Sequence, residues 1–209
     1  MRPKPSIDSF NINVIAFDLG NVLLPFDPWK AVHVLGKASG KPWYFIAGYL
    51  FLTQKWTKFD KGMYSKEEFY TGLNKALSLK MTQSEFERSF ADIFSENPKV
   101  IASLGFLKAR YRLILLSDIN PIHAEFCFNK YNFFDLFDEK ILSHEVKRKK
   151  PSKIIFNCLI SRAGVEAGKI LFIDDKVQNI KGAKKMGIQT ILFRDELSFL
   201  NQMKQLRFL

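Results

Sequence analysis

Short apolar runs alternate with helix-length amphipathic segments through the second half of the chain, whereas the first half holds one such run and then a long stretch that reads as helix. Residues 14–17 form an apolar strand ending at Asp18, and residues 113–116 form the next clear one. Further runs at 141–142, 170–173 and 190–193 complete a βαβ pattern, which predicts a doubly wound α/β fold: a parallel sheet, covered on both faces and connected right-handedly. Between the first two strands, Ser65 with Glu68 and Thr82 with Glu85 have the spacing of capping boxes, so each pair opens a helix. Phe69, Leu73 and Leu77, then Phe86, Phe90, Ile93 and Phe94, give those helices one apolar face each. With no repeat and no Gly/Ser linker, the helical module is expected as an insertion: a small cap over 25–99 within a core made of 1–24 and 100–209.

The apolar run at 43–52 is too short for a membrane span, which needs about 20 residues. It is expected as a buried cap helix, with a dimer contact or a substrate-facing apolar wall as the alternatives.

Composition narrows the picture. The 209 residues are 47% apolar and 25% charged, values of a soluble globular chain able to bury a core without staples. Cys127 and Cys158 lack metal or redox spacing and are expected as reduced core residues. The opening, from Arg2 and Lys4 through Ser6, Asp8 and Asn11, carries no apolar signal core, so a cytoplasmic location is expected. The net charge of +11 favours an anionic partner without choosing one. No nucleic-acid motif is present; neither specific nucleic-acid binding nor a membrane is expected, and the protein is expected as a monomer or homodimer. In the basic run Lys147, Arg148, Lys149, Lys150, the first three are expected as a solvated loop.

Candidate chemistry sits just past the strands, where open α/β sheets bind ligands. Asp18 follows the first, Ser117 and Asp118 the second, Asp174 and Asp175 the fourth. Asn120 is placed to cap a helix with Pro121 at its first position, leaving N–H groups and the Ser117 hydroxyl for phosphate oxygens. Pro151 is expected to start the helix after Lys150; Asn179 and Gly182 read as packing and turn residues on a helix ending at Gly187. His33, His123 and His144 are isolated and read as structural, with His33 and His123 also candidates for the edge of the site.

The order Asp, Ser, Lys, Asp-Asp resembles the haloacid dehalogenase superfamily along essentially the whole chain. Phe17-Asp18-Leu19-Gly20-Asn21-Val22-Leu23 looks like its first motif, Leu115-Leu116-Ser117 its second, Lys150-Pro151 its third and Phe172-Ile173-Asp174-Asp175 its fourth. The Asp-Leu-Gly-Asn-Val string is similar to a branch of small sugar-phosphatase-like proteins. The resemblance implies a phosphatase acting on a small phosphorylated metabolite, a sugar phosphate among the candidates, through an aspartyl-phosphate on Asp18. It implies catalysis by Asp18 and Lys150, and phosphate binding by Ser117, Asp118 and Lys150. It also implies Mg²⁺ held by Asp18, the Gly20 carbonyl, Asp174 and Asp175, with Asp175 the direct ligand and Asp174 acting through water.

A carboxylate is ionised at neutral pH and needs no activating base, and a hard divalent cation removes its repulsion for phosphate. Gly20 replaces the acid that commoner members carry two places after the nucleophile, which leaves proton transfer to water, substrate or a cap residue such as His33. Two other readings stay open: a metal-free 2-haloacid dehalogenase using the same Asp18, and a catalytically weak protein of this fold that binds anionic partners. The segment from about 43 to 94 is expected to move as a lid.

Overall fold

The computed structural model describes residues 11–209; the opening from Arg2 to Asp8 lies outside the described residues. Elements follow in the order β1 (Val14–Phe17), α1 (Pro28–Ser39), α2 (Trp43–Ala47), a π-helical turn (Gly48–Leu52), α3 (Lys55–Asp60), α4 (Lys66–Leu77), α5 (Gln83–Ala91) and α6 (Pro98–Lys108). The remainder is β2 (Arg112–Ser117), α7 (Pro121–Lys130), β3 (Glu139–Leu142), α8 (Ser143–Val146), α9 (Lys153–Ala163), β4 (Ile170–Asp174), α10 (Val177–Lys185), β5 (Gln189–Leu192) and α11 (Glu196–Gln205). The strands lie where the apolar runs predicted them and form one sheet in the order β3-β2-β1-β4-β5, every pairing parallel.

Because successive side chains on a strand point to opposite faces, each strand feeds two cores. Ile15, Phe17, Leu113, Leu115, Leu171 and Ile173 pack on one side with Leu104, Cys127, Phe199 and Met203 from α6, α7 and α11. Val14, Ala16, Ile114, Leu116, Ile170 and Phe172 pack on the other with Ile155, Phe156, Leu159 and Ile180 from α9 and α10. Burial on both faces is why these strands are continuously apolar instead of alternating. Cys127 is buried and Cys158 half-buried, both free. At Gly182 an added Cβ would lie 2.8 Å from the Pro151 Cβ, so glycine lets α10 press against the segment leading into α9.

The inserted helices enclose a third apolar cluster, including Leu35, Ile46, Leu50, Phe59, Phe69, Leu73, Phe86 and Phe90, which Ile122 of α7 also joins. Both capping boxes form: Ser65 and Thr82 each accept from the backbone N–H three residues on, and Glu68 and Glu85 reach back.

Residues 43–52 depart from the expected buried helix. They make α2 and the π-helical turn, and only Ile46 and Leu50, four residues apart, are buried. Trp43 is 56% exposed, Tyr44 63% and Leu52 84%. A small module has one interior, so a run that is apolar on every side can bury only one stripe. No helix among the described residues is long and apolar enough to cross a membrane.

The inserted helices meet the core at three places, one of them along α7, where α5 packs, Ile122 joins the third cluster and a His123 ring nitrogen lies 3.1 Å from the Phe90 carbonyl oxygen. Two linkers run side by side, with the Asp27 N–H donating to the Ile93 carbonyl and the Ser95 N–H to the Pro25 carbonyl, both at 2.9 Å. On the far side, α3 and the turn after it rest on the segment 143–149. Lys149 Nζ donates to Asp60 Oδ2 at 2.7 Å, Ser143 Oγ donates to the Asp60 carbonyl, and Lys147 Nζ donates to the Gly62 carbonyl at 2.7 Å. Gly62 has φ +60°, and a Cβ there would lie 2.1 Å from the His144 carbonyl oxygen, so both the backbone and the contact require glycine. Lys147 and Lys149 are thus tied to the inserted helices, against the expectation of a merely solvated loop.

Candidate active site

The sheet register brings the strand-end residues together. Phe17 pairs with Leu115 and with Ile173, so Asp18, Ser117 and Asp174 emerge within a residue of one level at the carboxyl edge. All three are buried. Carboxylate oxygens of Asp18, Asp174 and Asp175 lie within 4.8 Å of one another.

Lys150 is the hub of this floor. Its Nζ, wholly enclosed, sits 2.7 Å from Asp18 Oδ1, 2.8 Å from Asp174 Oδ2 and 2.9 Å from the Leu116 carbonyl oxygen. Burial alone would lower its pKa, but the charges of Asp18, Asp174 and Asp118 outweigh that and hold it above the ordinary lysine value. Burial pushes the Asp18 carboxyl up, to about 8, against the pull of Lys150 and with repulsion from Asp174 adding to it. Asp174 stays below the usual carboxylate range: burial would raise it, but Lys150, the Lys176 N–H and Asn179 together dominate.

The two adjacent aspartates differ in how their oxygens are used. Asp174 accepts from Lys150, from the Lys176 N–H at 2.7 Å and from Asn179 Nδ2 on both oxygens, at 3.0 and 2.9 Å. Asp175 accepts from Asn21 Nδ2 at 2.8 Å through Oδ2, while its Oδ1 is buried with no partner. An orphaned buried carboxylate oxygen facing two further carboxylates suits a hard divalent cation. The residues present therefore fit Mg²⁺.

Several sequence expectations need correction. Pro151 does not start a helix: α9 begins at Lys153 behind the Ser152 cap. Asn120 does cap α7, with Pro121 first, but its side chain takes the His123 N–H, and the Ile119 N–H donates to Ser143 Oγ at 2.9 Å. Those donors are spent inside the protein instead of being left for an anion. Asp118 lines the pocket, and its Oδ1 accepts the Lys150 N–H at 3.0 Å, which fixes the lysine's backbone. Asn179 does more than pack, since it holds Asp174. His33 is exposed and is not among the pocket residues, so it loses its candidacy as a proton donor.

A cavity of about 250 Å³ opens over this floor, lined by Asp18, Gly20, Ser117, Asp118, Lys149 and Lys176 below. Phe26, Phe51, Trp56, Thr57, Asp60, Phe94 and His123 also line it. Phe26, Phe51, Phe94, Asp60 and Lys149 escaped the sequence reading as site residues, because no local spacing links them, whereas His123, a candidate for the edge of the site, and Trp56, ambiguous in sequence between packing and recognition, do line the cavity. The Phe26 ring stands 3.1 Å from where a Cβ on Gly20 would be, so the space an acid would need at that position is taken by an aromatic edge.

Buried Asp60 accepts from Asn120 Nδ2 at 3.2 Å as well as from Lys149, and burial pushes it up to about 6 against the pull of Lys149. His123 is also buried, one ring nitrogen 2.9 Å from Asn120 Nδ2 and the other 3.1 Å from the Phe90 carbonyl oxygen, and desolvation drives it down to about 4.

The chain is 28% identical over 187 residues to a D-ribitol-5-phosphate phosphatase of Bacteroides thetaiotaomicron, covering 86% of this chain and 90% of that one. It is 21% identical to the sesquiterpene phosphatase astK of Aspergillus oryzae, across 91% and 94% of the two chains. Among solved structures, a HAD family enzyme of B. thetaiotaomicron in complex with magnesium and inorganic phosphate superposes with a TM-score of 0.80 at 25% identity, covering 88% and 95%. The model of the haloacid dehalogenase-like hydrolases matches residues 12–187, spanning every strand but the last and all the strand-end carboxylates, and the chain belongs to that family.

Proposed function

We propose that the protein is a Mg²⁺-dependent phosphatase that hydrolyses a phosphate monoester through an aspartyl-phosphate on Asp18. The observation that carries this reading is the orphaned Asp175 Oδ1 beside Asp18 and Asp174. A dehalogenase displaces halide from carbon without a metal and has no use for such a carboxylate trio, which is why we prefer the phosphatase. The named activities of the relatives point the same way.

In this reading Asp18, the Gly20 carbonyl and Asp175 hold the cation, with Asp174 behind them fixed by Lys150 and Asn179. Bound there, Mg²⁺ would neutralise charge on the phosphate and favour the ionised form of the buried nucleophile. An Asp18 oxygen attacks phosphorus, the bond to the ester oxygen breaks, and the alcohol departs. Water then cleaves the acyl phosphate, releasing inorganic phosphate and restoring the carboxylate. Lys150 places a fixed positive charge against the nucleophile in a dry site, where such charges act most strongly. Ser117 and the edge of β2 contact the phosphate oxygens. Gly20 supplies no proton, so the departing alkoxide takes one from water or from the substrate's own phosphate.

Asp18→Asn removes both charge and nucleophile and is expected to lower turnover of aryl and alkyl phosphates by several powers of ten. Excess chelator is expected to abolish turnover, with Mg²⁺ restoring it. Full activity in chelator, or in the Asn variant, sinks the proposal.

A further inference from the structure

The ceiling of the cavity is a connected series of rings. Phe51 and Trp56 have centroids 5.7 Å apart, Trp56 and His123 5.5 Å, His123 and Phe94 5.2 Å, and Phe94 and Phe26 6.2 Å. All five line the cavity that contains Asp18. The series continues outward: Trp29 lies 6.3 Å from Phe51 and Trp43 a further 5.8 Å away, both well exposed. An aromatic track therefore runs from above the nucleophile to the molecular surface.

The polar groups on this side are largely engaged. Asp60 accepts from Asn120 and Lys149, and both nitrogens of His123 are bonded to Asn120 and the Phe90 carbonyl, so the groups still able to meet a hydroxyl, the Thr57 hydroxyl, the spare N–H groups of Lys149 and the remaining lone pairs of Asp60, are fewer than the rings. A polyol or sugar carries a hydroxyl on nearly every carbon, and those lying along the rings, out of reach of Thr57, Asp60 and Lys149, would lose water without gaining a partner. A hydrocarbon loses nothing and gains the rings.

We infer that the pocket selects a phosphate monoester of a large apolar alcohol, with the phosphate at Asp18 and the hydrocarbon lying along the aromatic track and out over Trp29 and Trp43. This rests on the phosphatase reading and narrows it. The occupant follows from continuity: the track begins inside the reaction cavity, so whatever fills its inner end is joined to the phosphate.

The test uses the full chain with Mg²⁺ and two pairs of monoesters, one of aryl and one of primary alkyl esters: phenyl against 2-naphthyl phosphate, and ribitol 5-phosphate against n-decyl phosphate. Phenol and 2-naphthol are close in acidity, and ribitol, made more acidic than decanol by its neighbouring hydroxyls, is the better leaving group, so intrinsic reactivity in the alkyl pair runs against the expected preference. The larger apolar member of each pair is expected to have at least a tenfold higher kcat/KM. The two apolar arms tell an aryl occupant from an aliphatic one. Phe51→Ser and Trp29→Ser are expected to shrink both ratios toward unity, with the change carried by KM.

Turnover of ribitol 5-phosphate equal to or better than that of decyl phosphate overturns the inference and leaves the phosphatase standing. Absence of turnover on all four esters removes the phosphatase reading. Calorimetric titration of Asp18→Asn then still decides the pocket: at least tenfold tighter binding of 2-naphthyl than of phenyl phosphate is expected, and equal affinity overturns the inference. A dimer in light scattering that dissociates on Trp43→Ser would assign the outer track to a second copy of the chain and overturn that part.

Discussion

On the core side of the cavity, Lys150 Nζ holds oxygens of Asp18, Asp174 and Leu116 within 2.9 Å, and Asn179 and the Lys176 N–H complete the shell around Asp174. On the opposite side the contacts are ring against ring at centroid distances of 5.2–6.2 Å, contributed by two linkers, the π-helical turn, α3 and α7. The first wall is a set of buried charges whose cost is offset only when every partner is in place. The second is apolar packing, which tolerates exchange at modest cost. One wall is built to do a single piece of chemistry and the other to be varied, so substitutions should divide accordingly: loss of turnover on the floor, change of preference on the roof.

The largest effect should come from breaking the floor. Lys150→Met keeps the aliphatic stem but leaves Asp18 and Asp174 facing each other without a counter-charge. Removing one partner of a buried ion pair typically costs about 3–5 kcal/mol. Turnover on any phosphate ester should fall by roughly 10³-fold or more, the scale of a lost electrostatic stabiliser. Denaturant midpoints should fall in the same variant. A Met variant that retained activity within tenfold would show that the floor is not organised around this lysine.

A smaller effect tests the point where the two walls touch. Phe26 from the roof stands over Gly20 on the floor, so Gly20→Asp alone must displace the ring. Paired with Phe26→Ala it has room, and the new carboxylate can protonate a leaving alkoxide. General acid help is typically worth 10²- to 10⁴-fold, and an unrefined geometry should deliver only the low end. The double variant should therefore raise alkyl phosphate turnover by up to ~10²-fold over Phe26→Ala, while aryl phosphates, which need little protonation, change less. Equal gains on both ester types would mean the aspartate acts otherwise than as an acid.

This division also explains what the sequence disclosed. The sheet was legible because burial on both faces forces apolar runs, and the floor because parallel strands deliver their next residues to one edge. Ser65, Glu68, Thr82 and Glu85 announced their helices through local hydrogen bonding. The roof has a weaker signature: His123 stood out as an isolated histidine near Asn120, but Phe26, Phe51, Trp56 and Phe94 come from segments whose proximity is a tertiary fact. The run at 43–52 was ambiguous for the same reason, since apolar character does not say which side faces the interior. Lys149 was hidden in a basic run that looked solvated, and Asp60 lies among lysines where an acid attracts no attention. Pro151 misled because a proline before an amphipathic stretch is as compatible with the approach to a helix as with its first turn.

The smallest effect concerns the joint between the walls, where Asp60 and His123 both bond Asn120 and titrate in opposite senses. The Asp60 carboxyl stands at about 6 in the folded protein against 3.8 in a free chain. Folding therefore favours its protonated form, and the stability this contributes is full below pH 3.8 and lost as pH rises through 6. His123 stands at about 4 against 6.5, so its contribution is full above pH 6.5 and lost as pH falls through 4. Each shift spans about 2 pKa units, roughly 3 kcal/mol at 1.36 kcal/mol per unit, and between pH 4 and 6.5 the two slopes oppose. Wild-type stability should carry little net slope from this pair. Asp60→Asn keeps an acceptor for Asn120 or Lys149 but no longer titrates, leaving the His123 slope uncompensated. Its stability relative to wild type should then fall by up to roughly 3 kcal/mol between pH 6.5 and 4. His123→Gln should show the reverse, gaining on wild type as the pH falls over the same range. Urea midpoints of the three proteins at half-unit steps provide the differences, in which the titration of Asp18 and the other carboxylates cancels. Parallel curves for Asp60→Asn and wild type would mean that Asp60 stays ionised throughout, held by Lys149 against its burial.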